Sequence, residues 1–222
     1  RNGNKIGEFD NNNKQWKNKF SEDPKKIFSL TKKAIDFIEK QNELNKPFFL
    51  QISHYAIHTN IISKEKTYRK YLNKEKSLAV DNPGLAAMNE NLDEGIGIIL
   101  DKIEELDLTD NTYIIYTSDN GSVPTVPARR NYDKSINFPL SRGKWDAMEG
   151  GIRVPFIVSG PKVKAIECKV PVVGYDLLPT IIDIVNSDFI PKENIDGGSF
   201  KNILFGDGKG TVKRSNDGLI FH

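Results

Sequence analysis

Residues 83–118 constrain the fold more tightly than any other stretch of the chain. Leu85, Met88, Leu92, Ile96, Ile99, Ile103 and Leu106 advance by threes and fours, while Asp93, Glu94, Asp101, Lys102 and Glu105 take the opposite face. That spacing predicts a helix from about Pro83 to Leu106, buried along one side. A turn at Leu108-Thr109-Asp110-Asn111 then leads into Thr112–Ser118, a β-branched and aromatic run that stops at Asp119-Asn120-Gly121 and reads as a strand. The same alternation recurs around it. Asp23-Pro24 resembles a cap followed by proline in the first helical turn, and Ile27, Thr31, Ala34 and Ile38 continue a helical stripe to about Gln41. Phe48–Ser53 and Ile152–Ser159 read as strands, Tyr175–Asn186 as a helix with Pro179 in its first turn, and 122–142 as a long polar loop. Strands alternating with helices in this order imply an α/β sandwich, with a largely parallel sheet and helices on both faces.

Composition narrows the function. With 32 basic and 30 acidic side chains the net charge is only +2, so nothing points to nucleic acid as a partner. The basic cluster from Lys64 to Lys76 is interleaved with Glu65 and Glu75. It reads as a solvated surface segment, with a rim for polyanionic substrates as the alternative. Cys168 is the single cysteine, which excludes an internal disulfide. No apolar run approaches the ~20 residues of a membrane span.

In open α/β sheets ligands bind beyond the carboxyl ends of strands. Two predicted strands end in suitable groups. After Phe48–Ser53 comes His54-Tyr55-Ala56-Ile57-His58-Thr59-Asn60, and after Thr112–Ser118 comes Asp119-Asn120-Gly121. Adjacent Asp and Asn offer a carboxylate and an amide oxygen, donors suited to Ca²⁺ or Mg²⁺, although calcium takes about six to eight oxygens and others must come from elsewhere. Asp-Asn-Gly is also an ordinary turn sequence, with Gly121 letting the backbone turn away. His58 alone fits a hydrogen-bonded structural histidine as well as a catalytic one, and His54 would join it at a metal only on a helical loop. The segment Arg142-Gly143-Lys144-Trp145-Asp146-Ala147-Met148-Glu149-Gly150-Gly151-Ile152-Arg153-Val154-Pro155 adds a lysine in a glycine-bounded turn. Glycines let a backbone approach an anion closely, and the lysine supplies a mobile point charge.

Gly-Lys, five residues, then Gly-Gly-x-Arg-Val-Pro closely resembles a signature of the type I sulfatases, calcium-dependent sulfuric ester hydrolases of the alkaline phosphatase superfamily. Pro47–Leu50 running to His58-Thr59 resembles the segment in which a strand leads to a histidine, with Asn60 where proline is usual. The helix containing Asn91-Leu92-Asp93, the strand Tyr116–Gly121 and Tyr175-Asp176-Leu177-Leu178-Pro179-Thr180-Ile181 resemble further family segments in the family's order. The resemblance spans about residues 46–186.

The resemblance implies an alkaline-phosphatase-like fold. It implies Asp119 and Asn120 as ligands of one calcium ion, and Lys144 and His58 as sulfate contacts, with His58 near the leaving-group oxygen. It implies a sulfated small molecule or sulfated polysaccharide as substrate, and a periplasmic or extracellular setting. Glu149, Gly150, Gly151 and Arg153 read as shaping the turn, Arg153 through an ion pair. Family members attack sulfur with a formylglycine made from Cys or Ser in a Cys/Ser-x-Pro/Ala-x-Arg motif, and no such motif occurs here. Cys168 is followed by Lys169-Val170-Pro171, so it reads as an incidental thiol. The expectation is an internal piece of a longer enzyme, inert alone. Residues 1–22 would be a polar loop, 23–190 part of the catalytic domain, and 191–222 a loop-rich lead into a C-terminal region. The nucleophile and remaining metal ligands would lie outside the chain. A phosphate or phosphonate ester hydrolase of the same superfamily and a non-catalytic binder of sulfated glycans are the alternatives.

Overall fold

The computed structural model describes residues 16–75, 82–129, 131–185, 189, 195–216 and 218–219. The chain forms two compact units whose boundaries fall inside the predicted catalytic segment: one takes the chain through Thr109 together with Asn120–Arg153, the other takes Asp110–Asp119 together with Val154 onward. No linker is needed, because the chain leaves the first unit for one strand and then returns.

The first unit is helical. Helix α1 (Ile27–Glu43) buries Ile27, Thr31, Ala34 and Ile38, the stripe expected from spacing. It starts three residues later than Asp23-Pro24 suggests, because Pro24–Lys26 form a 3-10 turn with Lys25 and Lys26 at φ 55° and 58°. Asp23 still serves as the cap: its carboxylate accepts from the amides of Phe28 (2.8 Å) and Ser29 (3.3 Å). Helix α2 (Glu65–Leu72) occupies the basic segment read as a solvated surface segment. Three cations of that segment are paired with acids, Lys64 with Glu94 at 2.8 Å, Arg69 with Glu65 at 2.6 Å and Lys70 with Glu90 at 2.6 Å.

Helix α3 (Pro83–Glu105) is capped by Asn82, whose side chain accepts from the Leu85 amide. It buries Leu85, Met88, Leu92, Ile99 and Ile103 of the predicted stripe, leaves Ile96 and Leu106 half-buried, and adds Gly84, Ala87, Asn91 and Gly95. Gly95 and Asn91 have identifiable reasons. A side chain at Gly95 would stand 2.6 Å from Ile27 Cγ2, so glycine sets how closely α1 and α3 cross. Asn91 is fully buried; it accepts from the Lys64 amide (2.9 Å) and donates to Thr67 Oγ1 (3.0 Å), tying α2 to α3 with its polar atoms satisfied. Lys19–Phe20 (β1) pairs in parallel with Ile62–Ser63 (β2), inside a segment expected to be loop.

Phe48–Ser53 differs from expectation. It is extended, with exposure alternating residue by residue, but it joins no ladder among the described residues. Phe48 on its half-buried face packs edge-on against Phe37 of α1, while Phe49 is 70% exposed.

In the second unit, strand β3 (Ile114–Thr117) pairs antiparallel with β4 (Phe156–Ser159). Ile152, expected to begin that second strand, instead ends a single helical turn, α4 (Glu149–Ile152), of the first unit. The unit continues with helix α5 (Leu177–Ile184), which contains Pro179, and a short α6 (Lys201–Phe205). At its centre the Asp176 carboxylate is wholly buried. It accepts from the amides of Val173 (2.9 Å) and Gly198 (3.0 Å) and from the Arg214 guanidinium at Nε (2.9 Å) and Nη2 (2.6 Å). The predicted end of the helix at Asn186 lies outside the described residues, as do residues 1–15 of the predicted loop.

Candidate functional site

Strand β3 ends at Thr117, and two residues later the chain passes from Asp119, the last residue of its segment in the second unit, to Asn120, the first of the returning segment in the first. Asp119 is exposed and Asn120 half-buried. The Asn120 amide nitrogen donates to the Gly121 carbonyl at 3.0 Å, which fixes the orientation of the side chain.

From there the backbone runs into the Arg142–Ile152 segment. The Gly121 amide donates to the Gly151 carbonyl (2.9 Å), the Lys144 amide to the Ser122 carbonyl (2.8 Å) and the Gly150 amide to the Ser141 carbonyl (2.7 Å). Lys144 is thereby seated beside Asn120–Ser122. The glycines make this approach possible. A Cβ on Gly121 would lie 1.9 Å from the Gly150 carbonyl oxygen, and one on Gly151 would lie 2.0 Å from that of Asp146. Closeness, rather than a left-handed turn, is what Gly121 supplies. The left-handed positions are Arg142 (φ 65°) and Trp145 (φ 79°) on either side of Gly143-Lys144, a strained arrangement of about 1–3 kcal/mol per residue that surrounding contacts must hold.

Two side chains hold it. Asn137 Nδ2 donates to the carbonyls of Ser122 (3.0 Å) and Arg142 (3.1 Å), and Ser135 Oγ donates to the same Arg142 carbonyl (2.7 Å). Sequence reading passed over both, since a Ser and an Asn in a polar loop carry no signal until the carbonyls they meet are known. The acids of the segment pair with arginines rather than with Lys144: Asp146 with Arg142 at 3.8 Å, Glu149 with Arg153 at 3.3 Å. Arg153 is thus in the ion pair expected of it, and Lys144, half-buried, carries the cation of the turn.

His58 lies in the loop after the extended segment and is exposed. Its amide donates to the Tyr55 carbonyl (3.0 Å), and Nδ1 is 2.9 Å from the Thr59 carbonyl. A carbonyl only accepts, so Nδ1 carries the proton and Nε2 is the atom presented outward. His54 is in no helix, so it cannot share a helical face with His58. Its Nδ1 is buried without a protein partner, and burial pushes its pKa below the ordinary 6.5. Cys168 is a free thiol, its sulfur 3.2 Å from the Gly208 carbonyl.

Asp119 and Asn120 supply hard oxygen donors of the kind calcium prefers, but only two of them. Among the described residues no group of three or more His, Cys, Asp or Glu could hold a metal ion. The donor set fits one part of a calcium site.

Within the first unit, the glycine cradle seats Lys144 against Asn120–Ser122. The sulfatase family model matches residues 3–187. Human steryl-sulfatase is 30% identical over 196 residues, covering 87% of this chain and 31% of that protein. An ulvan-active sulfatase of Formosa agariphila is 26% identical over 199 residues, covering 82% and 36%. The crystal structure of Ps i-CgsB in complex with k-i-k-neocarrahexaose superposes with a TM-score of 0.68 at 28% identity, covering 80% of this chain and 37% of that one. The chain belongs to the sulfatase family. It spans about a third of the length of these relatives.

Proposed function

We propose that the whole protein hydrolyses sulfate esters and that this chain, within residues 23–190, supplies part of its catalytic domain. The observation that carries the reading is the seating of Lys144 against Asn120–Ser122 by paired backbone hydrogen bonds through glycines that tolerate no side chain. Family membership supports the chemistry.

Hydrolysis breaks the ester S–O bond, adds the elements of water, and gives an alcohol and sulfate. Charge grows on the sulfuryl oxygens and on the departing oxygen. The Lys144 ammonium donates hydrogen bonds to the sulfuryl oxygens, where a preorganised donor is worth about 10²–10³ in rate. His58, with Nδ1 fixed on the Thr59 carbonyl, gives a proton to the departing oxygen from Nε2 and therefore acts as the imidazolium. Asp119 and Asn120 would supply two of the ligands of a calcium ion, whose remaining ligands, with a formylglycine nucleophile, would come from outside this chain. When bound, calcium adds further stabilisation of sulfuryl charge. The likeness to enzymes of ulvan and to a carrageenan-oligosaccharide complex supports a sulfated saccharide as substrate.

The test is turnover of 4-nitrophenyl sulfate by the whole protein. Lys144→Ala should lower it about 100-fold or more with an unchanged melting temperature, and chelation of calcium should abolish it reversibly. Full activity in Lys144→Ala, or activity indifferent to chelation, would sink the reading.

A further inference from the structure

Between Asn120 and Lys144 the chain makes a long excursion whose base and tip differ in kind. At the base, the Ile136 amide donates to the Pro124 carbonyl at 2.8 Å. Buried Ser135 and half-buried Asn137 donate to the Arg142 carbonyl, and Asn137 also donates to that of Ser122, the residue on which Lys144 is seated. The base is therefore part of the Lys144 cradle. Past it, residues 125–127, 129 and 131–134 line an open concavity of about 600 Å³, within the range of roughly 300–1,000 Å³ typical of ligand sites. Internal bonds shape it: Thr125 Oγ1 donates to the Pro127 carbonyl (2.7 Å), and the Lys134 ammonium stands 4.1 Å over the Phe138 ring.

The lining is polar. Arg129 and Lys134 face it with one carboxylate, Asp133, the amide of Asn131, the phenol of Tyr132 and the hydroxyl of Thr125. Two cations against one anion favour a negatively charged occupant, while hydroxyl, amide and a single aromatic ring match the edges and faces of a sugar. Val126 and Pro127 complete the lining as its apolar part. The opening is wide, as entry by a unit within a chain requires.

We infer that residues 125–127, 129 and 131–134 form a subsite for the saccharide unit next to the one whose sulfate reaches Lys144, and that this neighbour is itself anionic. The inference rests on the sulfatase reading for the position of the sulfate, but binding at the loop can be read separately.

The experiment uses the whole protein and the variant Arg129→Ala/Lys134→Ala. Both side chains are exposed, so the variant should keep its fold, checked by melting temperature. Titration calorimetry with sulfated hexasaccharides prepared from carrageenan and from ulvan should show binding of at least one, weakened about tenfold or more in the variant. The ratio of kcat/KM on that hexasaccharide to kcat/KM on 4-nitrophenyl sulfate, which has no neighbouring sugar, should fall by a similar factor, through KM. Failure of both hexasaccharides to bind overturns the inference. So does an unchanged affinity, or an equal loss on both substrates, which would make the loop a support of the cradle. If the wild type ignores 4-nitrophenyl sulfate and the hexasaccharides yet binds one of them through Arg129 and Lys134, the hydrolase reading falls and the subsite stands.

Discussion

Gly121→Ala and Gly97→Ala are the same chemical change, and the structure assigns them opposite signs. At Gly121 the new Cβ would lie 1.9 Å from the Gly150 carbonyl oxygen and 2.8 Å from its carbon. Ordinary contact begins near roughly 3.5 Å, so the two segments must part by about 1.5 Å. The hydrogen bond from Gly121 to the Gly151 carbonyl, now 2.9 Å, would then be lost. Overpacking costs about 1–3 kcal/mol, and a buried amide left unpaired about 1–3 more. A loss of about 2–6 kcal/mol is a large part of the ~5–15 kcal/mol that holds a domain. At Gly97, inside α3, nothing lies within 4 Å of the added methyl, and alanine in a helix interior should gain about 1 kcal/mol. Urea unfolding followed by circular dichroism measures both, as midpoint shifts at unchanged slope. In the whole enzyme Gly121→Ala should also cost about 100-fold in kcat, because it moves Asn120 relative to Lys144 by more than an ångström. The account fails if Gly121→Ala unfolds within about 0.5 kcal/mol of the parent, a difference typical of an ordinary surface change.

Other expectations follow from buried polar groups. Asp176→Ala leaves the Arg214 guanidinium, 11% exposed, without its carboxylate and should cost about 3–5 kcal/mol; equilibrium unfolding checks it. Burial alone would raise the Asp176 pKa, but Arg214 and the amides of Gly198 and Val173 outweigh it and hold the carboxyl below its ordinary 3.8. Its contribution is therefore complete above about pH 4 and is lost as pH falls through the lower folded value; Asp176→Asn should flatten that acid limb of a stability–pH curve. His54 is the opposite type of group with the same sign: its folded pKa lies below 6.5, so stability is intact above that value and declines as the unfolded chain takes up its proton below it. His54→Phe should remove that slope in thermal melts between pH 5 and 7. Asn91→Ala should lose about 1–3 kcal/mol, because the Lys64 amide and Thr67 hydroxyl lose their partner, and a melt shows it.

The parts legible in the sequence are those that neighbours along the chain decide. The stripes of α1 and α3 are buried where their spacing put them, since helical periodicity depends on residues three and four apart. The turn that carries Lys144 was legible from Gly143, Gly150 and Gly151, whereas its bond to the Ser122 carbonyl was not, because it joins residues far apart in the chain. Helix α2 was hidden by charge: its eight residues bury only Thr67 fully, and its position comes from Asn91 on another helix. The Asp176–Arg214 pair was equally hidden, because 38 residues separate partners that only folding brings together.

Two residues show where local reading stops. Gly121 was recognised, but for a turn; its backbone is not left-handed, and the need for glycine comes from Gly150, which the sequence places far away. In the 48–55 segment the extended conformation was legible and the ladder was not. Phe48, Leu50, Ile52 and His54 are half-buried while Phe49, Gln51, Ser53 and Tyr55 are exposed, the alternation of a strand. Yet the contact that orients it is Phe37 of α1, and its backbone enters neither of the described sheets. β-branched and aromatic side chains favour extension by their own sterics, whereas each ladder bond requires a donor or acceptor from another strand. Conformation is a property of the segment, and pairing is a property of its neighbours. The same division separates Lys144, a ligand candidate on its own residues and turn, from the calcium site, for which Asp119 and Asn120 supply only part of the oxygens that such an ion takes.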